Sequence, residues 1–334
     1  MQKRYFPLWT TLALVALLTA CEKPGAWGDV NALIVGSQPG AWAAVQDSVE
    51  SALEPRIYTV RDEKAFRVTY ADPSSGNWAN LSRFVQVVLI GSADEPFVQE
   101  ALAERRGEAP LVPPQVVQVY DVWARGQQVT ILLVEPGRWE QSLELMAPLH
   151  ALLDDQYRQW ARNRMFLSGA DTALQSTLMA EAGFSLLLPE VYVWEARDSV
   201  YRFRNDNPDP SELIREVVIN WRTPIPEEGG REFFLDWRAD LVVTHYNFPQ
   251  VVPEDGIMAS PGTVGDRDAY QVQGIWENPP GEFPAAGPFI LRAVECPSQN
   301  RLYLLDAWLY APGKDKYEYM LQLETILNSF KCAD

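Results

Sequence analysis

A short apolar stretch that ends in a cysteine sets the first limit on what this chain can fold into. Leu8 to Leu18 is almost purely apolar, follows the basic residues Lys3 and Arg4, and leads directly into Cys21. The stretch is too short to cross a bilayer comfortably, and its order of basic head, apolar run and small residues is typical of a signal peptide. We therefore expect residues 1–20 to be removed and the fold to be built from the rest of the chain.

The residues that end this stretch, Leu18-Thr19-Ala20-Cys21, resemble a lipobox, the processing site of bacterial lipoproteins. The thiol of Cys21 would carry the lipid, including palmitate, and residues 21–29 would form a short tether. This predicts a lipid-anchored protein of the cell envelope, on the outer membrane and facing the periplasm. The alternatives are an ordinary secretory signal cut after Ala20 and an uncleaved anchor.

The charge of the chain restricts its partners. The formal net charge is -17 at pH 7, and it becomes more negative when Lys3 and Arg4 leave with the signal peptide. Such a surface repels phosphate backbones and anionic lipid headgroups. We expect no nucleic-acid partner, and we expect membrane contact through the lipid on Cys21 alone.

The three cysteines divide into one acylation site and one pair. With Cys21 lipidated, Cys296 and Cys332 remain in an oxidising compartment, where a disulfide is favoured over two free thiols. Their bridge would close a loop of roughly 37 residues, which stabilises a fold by about 3–4 kcal/mol in the chain-entropy model. The two histidines, His150 and His245, show no ligand spacing with these cysteines, so we expect no metal and no cofactor.

Two similar junctions suggest a candidate pocket. Leu33 to Ser37 and Val88 to Ser92 both end an apolar strand in Gly-Ser before a helix, so we expect the two strands in one sheet. Backbone N–H groups at Gly36, Ser37, Gly91 and Ser92 could then hold an anion in a shared crevice. The alternative is that the serines cap helices and the glycines form tight turns.

The remaining pattern predicts an α+β protein with two tandem α/β sandwich-like units, residues 30–168 and 169–334. Each unit should end in a β-hairpin followed by a long helix. The predicted elements are hairpins at 116–135 and 289–310, a helix from Trp139 with a kink or restart near Ala147 caused by Pro148, a helix start capped by Asp209, an ambiguous helix at 231–246, and a C-terminal helix at 314–329.

Several residue types could carry chemistry, and each also has a structural interpretation. His150 falls on an apolar helix stripe, and no G-x-S-x-G pattern accompanies His245. Eleven tryptophans follow the signal peptide, and they could pack the core or include a sugar-stacking platform. A hydrolase would need paired carboxylates, for which the candidates are Asp236, Asp240, Glu277 and Glu295.

Over most of its length the chain resembles an uncharacterised family of bacterial envelope lipoproteins that is known only as a domain of unknown function. The resemblance rests on Leu33 to Trp42, Gly274 to Glu277, Gly287 to Phe289, and Tyr310 to Pro312. It implies an extracytoplasmic, lipid-anchored protein and brings no catalytic residues with it.

A second resemblance concerns the later half alone. Phe184 to Pro189 and Leu327 to Lys331 look like parts of the PsbP and Mog1 type of α+β domain, which implies binding rather than chemistry. The sequence therefore predicts a non-enzymatic binding or interaction module for an envelope protein or a small ligand. The alternative is a hydrolase that acts on an envelope polymer through paired carboxylates.

Overall fold

Two β-sheets with different hydrogen-bonding patterns organise the chain. The computed structural model describes residues 22–208 and 212–333. Cys21 and the predicted helix cap Asp209 therefore lie outside the described residues. The strands are β1 (Ala32–Gly36), β2 (Arg56–Tyr58), β3 (Asp62–Lys64), β4 (Arg67–Ala71), β5 (Gln86–Gly91), β6 (Gln115–Tyr120), β7 (Gln128–Leu133), β8 (Phe184–Ser185), β9 (Val193–Arg197), β10 (Val200–Asn205), β11 (Ile214–Arg222), β12 (Met258–Val264), β13 (Arg267–Glu277), β14 (Ala286–Cys296), β15 (Arg301–Tyr310) and β16 (Lys331–Cys332).

The helices complete the two units. They are α1 (Pro39–Leu53), α2 (Trp78–Leu81), α3 (Pro96–Ala103), α4 (Met146–Met165), α5 (Thr172–Ala182), α6 (Arg231–His245) and α7 (Tyr317–Asn328).

The first unit is built on a five-stranded, mostly parallel sheet in the order β4-β1-β5-β7-β6. The two strands of the sequence repeat, β1 and β5, are parallel neighbours with Val35 opposite Val88. Their residues are apolar without alternation because a parallel sheet is covered on both faces. The predicted hairpin is present as β6 and β7, which pair antiparallel.

The second unit is built on a seven-stranded antiparallel sheet in the order β12-β13-β14-β15-β11-β10-β9. One face packs on α5 and α7 through a core that includes Leu178, Leu323 and Ile326. The other face packs on α6 through Phe234, Trp237 and Leu241. Alternate side chains along each strand therefore enter two separate cores.

The predicted fold class is confirmed: the chain is α+β, and each unit ends in a hairpin followed by a helix. The two units are not copies of one another, because one sheet is mainly parallel and the other antiparallel. Near Pro148, the predicted restart appears as a 3₁₀ segment, Trp139–Leu145, followed directly by α4. Proline is tolerated there because the first turn of a helix has no N–H bond to lose.

The structure divides the chain elsewhere than at residues 168 and 169. The first unit ends at Leu153, the second resumes at Asp154, and the β2–β3 hairpin within residues 56–65 belongs to the second unit. The division falls inside α4, which continues unbroken from one unit into the other. No loop therefore marks the boundary between the units in the sequence. The sequence instead predicted the boundary in the loop at Leu167 to Asp171, which contains Ser168-Gly169 and follows α4.

The described part of the predicted tether is not a free linker. Gly25 and Trp27 form bridges with Arg125 and Phe84, and the Trp27 and Phe84 ring centroids are 4.0 Å apart. Residues 22–29 therefore lie against the first unit, because their apolar and backbone groups find partners there.

Candidate functional site

The two Gly-Ser junctions occupy neighbouring strand ends, but both glycines are explained by packing. A Cβ at Gly36 would lie 2.7 Å from the Trp78 ring, and one at Gly91 would lie 2.7 Å from Oε2 of Glu95. Only a residue without a side chain leaves room for these neighbours.

The serines at these junctions face acidic or backbone acceptors. The hydroxyl of Ser92 donates to the carboxylates of Asp94 and Glu95, and Glu95 is only 6% exposed. Burial raises the pKa of Glu95, and the hydrogen bonds from Ser92 oppose this effect. Ser37 is fully buried. An anion at this edge would meet carboxylates, so these contacts do not favour the predicted anion pocket.

A different site lies at one end of the sheet of the second unit. Phe248, Trp276, Phe283, Trp308 and Tyr310 line a cleft of about 340 Å³, which we call the aromatic cleft. This volume lies near the lower end of the range for small-molecule sites, roughly 300–1,000 Å³. The cleft is large enough for a compact ring-shaped ligand.

Glycines opposite aromatic residues build this end of the sheet. Trp276 pairs with Gly287 and Phe289 pairs with Gly274 across the β13–β14 ladder. A Cβ at Gly274 would lie 2.7 Å from the Phe289 ring, and one at Gly287 would overlap the Leu309 carbonyl oxygen and lie 2.8 Å from Nε1 of Trp276. Each glycine therefore gives an aromatic side chain room to lie across the neighbouring strand.

The rings that line the cleft hold one another at fixed angles. Trp276 and Trp308 meet edge to face at 81° with centroids 5.5 Å apart, and Phe248 meets Trp308 at 77° and 6.4 Å. The indole of Trp276 also donates a hydrogen bond to the Leu309 carbonyl at 3.2 Å. Edge-to-face contacts are favourable for aromatic quadrupoles, so the walls are ordered without a ligand.

Two buried polar atoms on lining residues have no hydrogen-bond partner within the described part of the chain. They are Nε1 of Trp308 and Oδ1 of Asn278. The amide of Asn278 is held in place because its Nδ2 donates to the Phe283 carbonyl at 2.7 Å. Both atoms are shielded from solvent, and the exposed polar group that lines the cleft is the carboxylate of Glu282.

A buried charge cluster lies beside Trp308 on the same face of the sheet. Arg202 binds both carboxylate oxygens of Glu216 at 3.0 and 3.2 Å, and Nε of Arg238 lies 2.9 Å from Oδ2 of Asp306. Glu216 stands opposite Trp308 in the ladder, and Asp306 precedes it by two residues. The cluster therefore flanks the back wall of the aromatic cleft.

The environment of the cluster shifts two pKa values. Burial raises the pKa of Glu216 despite the opposing effect of Arg202, and Asp306 raises it further. Burial and the neighbouring Asp306 raise the pKa of Tyr246 well above its ordinary value, and its hydroxyl donates to Asp306. Both carboxylates are fully buried, so they position side chains rather than face the solvent.

Sequence reasoning missed this cluster and the cleft. The available signal was a set of charged residues inside otherwise apolar strands, namely Arg202, Glu216 and Asp306, together with the Gly-x-Trp and Gly-Pro-Phe segments. Charged residues are rarely fully buried unless they are paired, so such positions point to an internal network.

The predicted carboxylates of a hydrolase occupy exposed positions on three elements. Asp236 and Asp240 lie on the outer side of α6. Glu277 ends β13, whereas Glu295 lies near the far end of β14, opposite the start of β13. Glu277 and Glu295 are therefore kept apart by the length of the hairpin.

The two histidines are also separated. His150 is half-buried and meets the Phe66 ring edge-on with centroids 6.3 Å apart, as its apolar helix stripe predicts. His245 ends α6 and lines a shallow pocket with Asp240 and Arg222. Within residues 22–208 and 212–333, no group of three or more His, Cys, Asp or Glu side chains is arranged to hold a metal ion.

The structure brings Cys296 and Cys332 together. Their sulfur atoms lie at bonding distance, and their Cα atoms are 6.1 Å apart, which is within the range of disulfides.

None of the helices in the described ranges combines the length and the apolar character needed to cross a membrane.

Comparison with known proteins adds one family match. Residues 244–329 match the family described as "Domain of unknown function (DUF4837)". The predicted resemblance to such a family is thereby confirmed for this part of the chain. The match contains all five rings of the aromatic cleft and the segments at Gly274 and Gly287, and it does not extend to Leu33.

Similar solved structures are distant. A Mog1 point mutant and the Ran-binding protein Mog1p of Saccharomyces cerevisiae each show 9% identity and a TM-score of 0.30 over 46% of this chain, covering 92% and 91% of theirs. LpqN of Mycobacterium tuberculosis, described as involved in cell envelope biogenesis, shows 15% identity and a TM-score of 0.29 over 45% of this chain and 83% of its own. No curated protein matches the sequence significantly.

Proposed function

We propose that this protein is a lipid-anchored binding protein of the cell envelope, and that it holds a small ligand in the aromatic cleft without transforming it. The lipobox-like sequence at Cys21 supports a location in the cell envelope. The acidic surface supports attachment to the membrane through the lipid rather than through contacts with anionic headgroups. The single observation that carries the binding role is a preformed cavity lined by five aromatic rings.

The arrangement favours binding over hydrolysis. Glycoside hydrolysis needs two carboxyl groups that flank one bond, at most about 10 Å apart. The four predicted carboxylates do not provide this pair at the cleft, and the buried Glu216 and Asp306 are both occupied by arginines. The cleft therefore supplies recognition, and the charge cluster keeps Trp308 in place.

Occupancy of the cleft is tested with a generic ring-shaped probe. In the full chain with Cys21→Ser and ¹⁵N-labelled tryptophan, the indole N–H signals of Trp276 and Trp308 are assigned through Trp→Phe variants. Phenol, a small aromatic ring, should shift these two signals saturably, because its ring packs against the aromatic walls of the cleft. Equal shifts of all tryptophans, or no saturable shift, contradict the proposal.

Turnover is tested on the same preparation. Peptidoglycan, ester and phosphoester substrates should remain unchanged. Turnover that a single substitution at Asp236, Asp240, Glu277 or Glu295 abolishes, with folding intact, would favour the hydrolase.

A further inference from the structure

We propose that two copies of this protein pair through strand β9 and thereby join their seven-stranded sheets into one continuous sheet. β9 is the last strand of its sheet, and among the strands of the described part of the chain it pairs only with β10. All five residues of β9 are exposed. An exposed edge strand presents unpaired N–H and C=O groups, and these can accept a strand from another chain.

The turn that joins β9 to β10 fixes which backbone groups point outward. Asp198 and Ser199 have φ values of 52° and 62°, the left-handed geometry of a two-residue type I′ hairpin turn. The two residues that flank such a turn form its closing hydrogen-bonded pair. Hydrogen bonding alternates along an antiparallel ladder, so the N–H and C=O groups of Trp194 and Ala196 point away from β10. These groups are available to a second strand.

The two edges of this sheet differ in how readily they accept another strand. β12, at the opposite edge, contains Pro261 followed by Gly262. A proline has no N–H to donate, so an edge strand that carries one is a poor template for pairing. β9 contains neither residue type, and its Val193 and Trp194 are 66% and 44% exposed. A strand added at β9 would cover part of these apolar side chains.

The charges of β9 select a second copy in one register. Glu195 and Arg197 lie two residues apart on the same face of the strand. If two β9 strands pair antiparallel with their Ala196 residues opposite each other, Glu195 of each copy stands opposite Arg197 of the other. A slip of two residues in either direction would oppose Glu195 with Glu195 or Arg197 with Arg197, which is unfavourable. The strand is therefore complementary to itself in this register.

The side chains on the other face of β9 also fit this register. Trp194 packs on Tyr201 and Phe203 with ring centroids 6.5 Å from each, so its position at the edge of the core is fixed. In the proposed pair, each Trp194 lies diagonally next to the small Ala196 of the other copy, within reach of an aromatic side chain. Pairing would bury more of each Trp194 ring without a clash at the centre.

Local charge balance permits this contact on an acidic protein. The formal net charge of the chain is -17, so two copies repel each other in general. The β9–β10 hairpin, residues 193–206, carries three arginines and three acidic residues. Two such hairpins can therefore meet without net repulsion between them. Because one strand edge makes a small interface, we expect a weak dimer.

A disulfide between the two copies tests the register. In the full-length Cys21→Ser chain, Ala196→Cys places two thiols at the central hydrogen-bonded pair, where Cα atoms are about 5.5 Å apart, a separation that a disulfide spans. Mild oxidation should give a covalent dimer. Ser199→Cys, in the exposed turn of the same hairpin, is the matched control, because the proposed register holds its two thiols roughly 20 Å apart. A dimer formed equally by both variants, or by neither, overturns the proposal.

Sedimentation velocity tests the charges. The Cys21→Ser chain should dimerise reversibly with a Kd on the order of 100 µM. Arg197→Glu opposes two acidic side chains at both symmetric contacts, so it should raise the Kd about tenfold. Arg231→Glu on α6 is the matched control, because Arg231 also pairs with the acidic residue that follows it and the change in net charge is the same. It should leave the Kd unchanged.

Two outcomes of the sedimentation experiment overturn the proposal. If the chain stays monomeric throughout, β9 is left to a different partner or to none. If Arg197→Glu dimerises as tightly as Arg231→Glu does, the copies associate through another surface.

Discussion

At the residue scale, the aromatic cleft depends on two glycines, because a side chain at either position would clash with its neighbours. Gly274 and Gly287 lie in strand interiors, where glycine ordinarily weakens a sheet. Here each glycine pairs with an aromatic residue on the neighbouring strand, and that side chain packs over the glycine. This packing offsets the stability that the sheet loses at a glycine. The shape of the cleft therefore depends on two positions that do not themselves line it.

Gly287→Ala should lower the free energy of unfolding by about 1–3 kcal/mol, the usual cost of overpacking a filled site. The added Cβ would overlap the Leu309 carbonyl oxygen, so the backbone there must shift, and it would also lie 2.8 Å from Nε1 of Trp276. Urea unfolding measures the change. Gly262→Ala is the control in the same sheet, since its Cβ would meet nothing closer than 3.5 Å. Equal stability of the two variants would refute the packing argument.

A second residue-scale prediction concerns Glu95, whose Oε2 is buried without a partner. Because burial raises its pKa, the folded chain binds its proton more tightly than the unfolded chain. This contribution to stability is complete below the ordinary pKa of glutamate and is lost as pH rises through the folded-state pKa. Glu95→Gln should therefore be more stable than the natural chain at pH 7 and lose this advantage near about pH 4.

Urea unfolding at several pH values tests the prediction for Glu95. The exposed Glu100→Gln on α3 serves as the comparison and should show no such pH-dependent gain. The measured quantity is the stability of Glu95→Gln minus that of the natural chain. If this difference is smaller at pH 7 than at pH 4, the prediction is wrong.

At the element scale, the second unit is closed by its last strand. β16 pairs with β8, which places Lys331 opposite Ser185 and Cys332 opposite Phe184. Cys332 thereby reaches Cys296 at the end of β14, across the core that α7 covers. A covalent bond at this point would tie the C-terminal segment to the main sheet.

The Cys296–Cys332 bridge is predicted to contribute about 3–4 kcal/mol, because it restricts a long loop of the unfolded chain. The natural protein should therefore titrate with no free thiol at these positions under denaturing conditions, and its stability should fall by this amount after reduction. The variant with both cysteines replaced by serine is the control, because reduction should not affect it. Two titratable thiols in the protein purified from an oxidising compartment would exclude the bridge.

At the scale of the whole molecule, the chain combines a strongly acidic surface with a predicted single lipid attachment. An acidic surface is repelled by anionic headgroups. The lipid on Cys21 would then be the main source of membrane affinity, and two or more acyl chains are needed for stable anchoring.

Cys21→Ser should abolish incorporation of a fatty-acid analogue and move the protein from the membrane fraction to the soluble fraction. The reason is that no other acylation motif accompanies the apolar run at Leu8 to Leu18. Metabolic labelling followed by fractionation measures both effects. Cys332→Ser is the control and should keep the label. Label that persists in Cys21→Ser would show that the lipid is attached elsewhere.

The sequence by itself determined the local elements. The apolar repeat at β1 and β5, both hairpins, the restart at Pro148 and the C-terminal helix followed from periodicity and from turn residues. These signals are local, because a strand or helix is specified by which of its own side chains face inward. The fold class could be predicted for the same reason.

The tertiary structure alone decided where the units divide, which residues form a site, and which charges are buried. No local signal marks the division inside α4, because the helix is continuous there. Strand register brings Trp276 and Trp308 together, and Phe283 joins them from the loop between β13 and β14. Glu216 is buried in a pair with Arg202, which reaches it from the neighbouring strand. Register and charge pairing depend on contacts between residues far apart in the chain, and periodicity within one element does not encode those contacts.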